Sequence, residues 1–237
     1  MAYELRLFPI MQNRRRFIEQ TVQAGVLAGL GSALLTGCSS GVGKEKEESP
    51  PEDLMQEHGL LNRILLIYDH ERFRLSGNLP PDLPALQGAA QIVRQFVEDY
   101  HEKQEEDYLF PRFRQANQLT DLVDTLFRQH NAGRRITSEL LSLTRAASLN
   151  DTESKRLNSL LIQFNTMYRP HEAREDTVLF PAFRKLVSKH EYDSLGEEFE
   201  KNEHKRFGED GFETMVNKVA DIEKQLGIYD LGQFTPA

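Results

Sequence analysis

Two stretches of the chain have residue types and spacing suited to metal chemistry. HEKQEEDYLFPRFRQ runs from His101 to Gln115, and HEAREDTVLFPAFRK from His171 to Lys185. Each begins His-Glu, places a Glu four residues after the His (Glu105, Glu175), and reaches Leu-Phe-Pro at 109–111 and 179–181. Seventy residues separate the copies, and single histidines recur at a similar interval, His58 and His130 being 72 apart. Four residues on a helix is about 400°, so His and Glu share one face, one turn apart. They can point at one metal ion or at two adjacent ones. Imidazole with carboxylate suits iron, and equally admits zinc or manganese.

The elements that must carry these groups follow from apolar periodicity. Ala90, Val93 and Val97 form a stripe that His101 and Glu105 continue to Tyr108. Leu157, Leu160, Phe164 and Tyr168 lead into His171, Glu175 and Val178. Leu119, Val123 and Leu126 lead to His130, with Thr137 and Leu140 beyond, and Leu54, His58, Leu61, Leu65 and Tyr68 make the first stripe. The steps of three and four place each candidate ligand on a buried helix face. Two buried carboxylates and four buried imidazoles are costly without a cation.

Helices are expected at about 52–75, 85–110, 119–147 and 153–180, then 191–206 and 212–226, with no strand pattern. Pro111 and Pro181 are expected to bend or end the second and fourth helices near residue 110 and residue 180. The fold class is all-α, an up-down-up-down four-helix bundle over 52–190 with a helical appendage, 191–237, packing on it.

Composition narrows the function classes. The net charge of −8 argues against a nucleic-acid surface. A single cysteine rules out a disulfide framework or a thiolate metal cluster. Residues 1–37 read as an export signal: Asn13-Arg14-Arg15-Arg16-Phe17-Ile18 resembles the twin-arginine motif, and an uncharged Gly- and Ala-rich segment follows. Leu35-Thr36-Gly37-Cys38 matches a bacterial lipobox, so Cys38 is the expected lipidation site and 38–51 a tether to the membrane. The expected location is the periplasmic or outer face of a membrane.

The series His58, His101-x-x-x-Glu105, His130, His171-x-x-x-Glu175, with intervals of 43, 29 and 41 residues between histidines, resembles the hemerythrin-like, HHE cation-binding proteins over about 52–185. The resemblance implies a non-haem di-iron centre inside a four-helix bundle. By that likeness His58 and His101 bind one iron, His130 and His171 the other, and Glu105 and Glu175 bridge them. Oxygen-carrying members have a further His one turn after the third-helix His, where this chain has Arg134. Four histidines leave more open coordination, which the resemblance links to binding or reducing oxygen, peroxide or nitric oxide with an electron donor. A sensor or store that binds without turnover uses the same residues, and a metal-free helical scaffold is the third reading. Ferritin-like di-iron proteins use Glu-x-x-His, the reverse order.

Other residues surround this set. Glu102 and Glu172 lie about 100° off the core face and are expected to be solvated or to support the ligands. Tyr108 and Tyr168 are expected on the metal-facing stripe, as core aromatics with a polar handle. His204 is expected to have a structural or supporting role.

Overall fold

In the computed structural model, residues 49–236 are described, and they form helices with no strand among them. The signal, lipobox and most of the tether lie outside this range. Helix α1 is Pro50–Ser76. It starts where the Ser49 N–H donates to Glu52 at 3.2 Å and two prolines occupy the first turn, where their missing N–H groups have no helical partner to lose. Helix α2 runs continuously over 83–115, from Leu83–Ile92 to Phe110–Gln115, and Asp82 caps it by accepting from the Ala85 N–H at 2.9 Å. Helix α3 is Thr120–Leu143. Helix α4 covers 151–186, from Asp151–Arg174 to Phe180–Leu186, and the Asn150 side chain accepts from Thr152 and Glu153 at its start. Helix α5 is Lys189–Phe207 and α6 is Gly211–Leu226. Between them Gly208 has φ +85°, a left-handed backbone that only glycine adopts freely.

The two prolines do not end their helices. Each follows a π-helical turn, Glu105–Leu109 in α2 and Glu175–Leu179 in α4. The Phe110 and Phe180 N–H groups bond to the carbonyls of Glu105 and Glu175, five residues back. Proline then enters in the first turn of the next α segment, and the helices continue to Gln115 and Leu186. The wide turn also moves the buried face on by one residue. Leu109 and Leu179 are fully buried, whereas Tyr108 is half-buried and Val178 exposed. The expected stripes through Tyr108 and Val178 are corrected accordingly. Leu119 likewise leaves its stripe: it precedes α3 with φ +49° and is exposed.

Helices α1 and α4 pack together, as do α3 and α4, α1 and α2, and α2 and α3. Helix α6 lies against α1 and α2, with Met215 and Val219 in the core and Arg63 on Glu223. Helix α5 lays Phe199 against Tyr108. No described helix is long and apolar enough to cross a membrane. Among the described residues the core has two apolar clusters. One joins Leu60–Tyr68, Leu83–Tyr100 and Leu157–Tyr168, and the other joins Leu54, Leu109–Phe113, Val123, Leu126, Leu179–Phe183 and Phe199. In all four helices the His and Glu positions fall between the stretches that feed the two clusters.

Candidate metal centre

The six histidine and glutamate residues converge. His58, His101, His130, His171, Glu105 and Glu175 are each at most 4% exposed. The Nε2 atoms of His58 and His101 are 3.1 Å apart, and those of His130 and His171 are 3.2 Å apart. Glu175 reaches both pairs, Oε2 lying 3.4 Å from His58 Nε2 and Oε1 lying 3.1 Å from His171 Nε2. Glu105 Oε2 is 3.4 Å from His130 Nε2 and 4.0 Å from His101 Nε2.

The outer ring nitrogens are all engaged. His58 Nδ1 lies 2.7 Å from Asp176, His101 Nδ1 2.7 Å from Glu57, His130 Nδ1 3.1 Å from Glu106, and His171 Nδ1 2.9 Å from Gln129. An Nδ1–H that donates outward leaves the Nε2 lone pair facing inward. Two inward lone pairs 3 Å apart repel unless a proton or a cation lies between them. Without metal the His58–His101 pair divides this burden unequally. Burial lowers His58, but Asp176 and Glu175 outweigh it and raise its pKa well above the usual imidazole value. Burial, assisted by the charge on His58, pushes His101 down to about 4. His130 is also raised, burial being outweighed by Glu102, Glu105 and Glu106.

The carboxylates meet the same test. No oxygen of Glu105 or Glu175 has a well-formed hydrogen bond, although both residues are fully buried. Burial alone would raise Glu175, yet His171 and His58 hold it well below the usual carboxylate range. Buried carboxylate oxygens without well-formed hydrogen bonds, beside converging imidazole nitrogens, are a donor set that fits a hard or borderline cation. Suitable ligand atoms of Glu105, His130, His171 and Glu175 lie within 4.8 Å of one another, as do those of His58, His101 and Glu105.

A model of the hemerythrin HHE cation-binding domain matches residues 49–183. The chain belongs to the hemerythrin HHE family. It is 45% identical to uncharacterized proteins of Mycobacterium bovis and Mycobacterium tuberculosis, over 97% of this chain and 93% of theirs. No solved structure matches. Family membership and the buried His/Glu cluster together point to a bound metal, with iron the metal the family favours.

The other candidates in this HHE chain divide into near and far. Glu102 is buried, accepting from the Tyr168 hydroxyl at 2.7 Å and pairing with Arg134 at 2.7 Å. Glu172 is buried too, accepts from Asn62 at 2.5 Å, and is pushed up to about 8 by burial. Neither is solvated: neighbouring helices cover the flank of the stripe as well as its centre. The Tyr168 ring sits edge-on to His171, 5.4 Å away. Tyr108 is outside the cluster, its hydroxyl meeting Asn202 at 3.2 Å. His204 is exposed, because the buried face of α5 runs Tyr192, Leu195, Phe199, Glu203 and His204 is one step off it. Sequence reasoning passed over Glu57, Glu106, Gln129 and Asp176. Their signal was present: Glu57 and Gln129 each precede a lone His by one residue, and Glu106 and Asp176 each follow the motif Glu by one.

Proposed function

We propose that the chain is an up-down-up-down four-helix bundle holding a non-haem di-iron centre, and that it binds or reduces a small oxidant such as oxygen, peroxide or nitric oxide at the cell envelope. One observation carries this reading: two inward-facing imidazole pairs, 3.1 and 3.2 Å across, with a buried Glu175 oxygen turned to each pair. His58 and His101 would hold one iron, His130 and His171 the other, with Glu105 and Glu175 between them. Iron in such a set supplies redox chemistry and open coordination positions for a small ligand.

The protein's own part is positional. Glu57, Asp176, Glu106 and Gln129 fix the ring orientations. The apolar clusters on both sides keep bulk water out. The Tyr168 hydroxyl donates to Glu102, which holds its ring edge-on beside His171. Export by the twin-arginine route, which carries folded proteins, suits loading of iron before translocation, and Cys38 would then anchor the chain through lipid.

The test is metal content and the visible spectrum of the chain purified anaerobically and then exposed to air. Two irons per chain are expected, with a charge-transfer band that appears on oxidation and is lost in His101→Ala and Glu175→Ala. A folded chain that takes up no iron would overturn the reading. Turnover with peroxide or nitric oxide and a reductant, against binding alone, separates a reductase from a sensor or store. A reporter fused to residues 1–45 that is still exported when the twin-arginine route is blocked would sink the export assignment.

A further inference from the structure

The four outward contacts occupy duplicated positions, but they are not chemically equal. Glu57 and Gln129 are counterparts 72 residues apart, and Glu106 and Asp176 are counterparts 70 apart. His58 and His101 both rest on carboxylates, Asp176 and Glu57. His130 and His171 rest on one carboxylate, Glu106, and one amide, Gln129.

The surrounding charge widens the difference. Glu106 is shared with Arg134 at 2.7 Å and with Lys103. Glu106 thus faces His130, Lys103 and Arg134 together. Asp176 pairs with His58 alone among the described residues. Glu57 lies in a buried acidic group with Asp53 and Glu203. The carboxylate behind His130 is therefore shared with an arginine and a lysine, whereas that behind His58 is not.

A carboxylate on Nδ1–H makes the opposite nitrogen a stronger donor, and an amide carbonyl does so less. Nearby anions also favour a cation directly, as nearby cations disfavour it. We propose that the two metal positions are unequal: the His58–His101 position fills first and holds its metal more tightly, and the His130–His171 position is the weaker, exchangeable one. The Glu57/Gln129 pair sets this order. The chain then has a one-metal state, and uptake or loss of the second ion is a reversible event at a defined end of the site. This rests on the two-metal reading above.

The test is anaerobic titration of the metal-free full chain with ferrous iron labelled for Mössbauer spectroscopy, together with competition against a chelator. The expected result is one quadrupole doublet at one equivalent and a second, distinct doublet at two, with the first ion held at least about tenfold more tightly. His171→Ala keeps the first doublet and His101→Ala loses it. Glu57→Gln weakens the first ion by roughly 10–100-fold, the usual effect of removing such a partner. Gln129→Glu tightens the second. Both changes are isosteric, and circular dichroism before titration verifies folding. Two equal steps, a single unresolved two-iron step, or an order indifferent to both variants would overturn the proposal while leaving the di-iron reading intact. Fewer than two irons in the wild-type chain would instead overturn the two-metal reading on which it rests.

Discussion

Gly133 and Tyr168 compete for one space: a Cβ on Gly133 would lie 2.0 Å from the Tyr168 hydroxyl oxygen and 2.9 Å from its Cζ. The tyrosine cannot swing aside cheaply, because its hydroxyl is bonded to Glu102 and its ring packs on Phe164 at 4.3 Å. Gly133→Ala should therefore destabilise the protein by about 1–3 kcal/mol through overpacking, even though alanine gains about 1 kcal/mol of helix propensity. Tyr168→Leu in the same chain should recover part of that loss. Urea unfolding of the two single variants and the double variant measures the coupling, and strict additivity would show that the two residues do not meet.

Glu98 is fully buried, with Arg94 at 3.0 Å, and burial pushes its carboxyl up to about 7. Between the unfolded value near 4.5 and the folded value near 7 the native state binds more protons. Stability then falls as pH rises through that window and levels off above it. The ceiling on this loss is about 3 kcal/mol. Glu98→Gln should remove this part of the slope. Denaturation curves of the metal-free wild type and variant at pH 5 and pH 8 give the difference directly, and histidines common to both cancel.

Glu105 is a fully buried carboxyl group, neither oxygen of which has a well-formed hydrogen bond. Glu105→Gln keeps the shape but takes from His130 a carboxylate that favours its protonated form, so the metal-free protein should lose some stability. In the wild type, metal at a hundred times its Kd adds about 2.7 kcal/mol, and in the variant that gain should shrink or vanish. Thermal melts with and without ferrous iron, under argon, separate the two effects. A variant that metal stabilises as much as it does the wild type would contradict the assignment.

Arg134 balances Glu102 and Glu106 at 2.7 Å each, both carboxylates being almost wholly covered. Arg134→Ala takes the arginine from both carboxylates, leaving Glu106 with Lys103 and His130, and should cost about 2 kcal/mol or more. Adding Glu102→Gln should return part of that cost, as a double-mutant cycle by chemical denaturation would measure.

Sequence spacing was enough to place the candidate histidines and glutamates on one buried face of their helices, because a step of four is nearly one turn. The same rule failed three residues later. Tyr108 and Val178 should share that face, but each lies within a π turn, and a wide turn carries no compositional signal. Gly133 was also silent: a glycine inside α3 reads only as a weak helix former, and its reason lies on α4. The supports Glu57, Glu106, Gln129 and Asp176 stand one residue beside a ligand position. Their role depends on which neighbouring helix they face, and pairing between helices is a tertiary fact.

Some of these contacts cross between the two sequence halves. Asp176 and Phe180 from the second half meet His58 in the first, Phe180 stacking at 5.6 Å. Glu106 and Phe110 from the first half meet His130 in the second, Phe110 stacking at 5.5 Å. Neither helical hairpin alone can assemble a finished site, whereas two copies of one hairpin related by a twofold axis could. The chain is in this sense a dimer fused into one polypeptide. In one polypeptide the two halves are free to differ, and Glu57 against Gln129 is a difference that no symmetric pair could have kept.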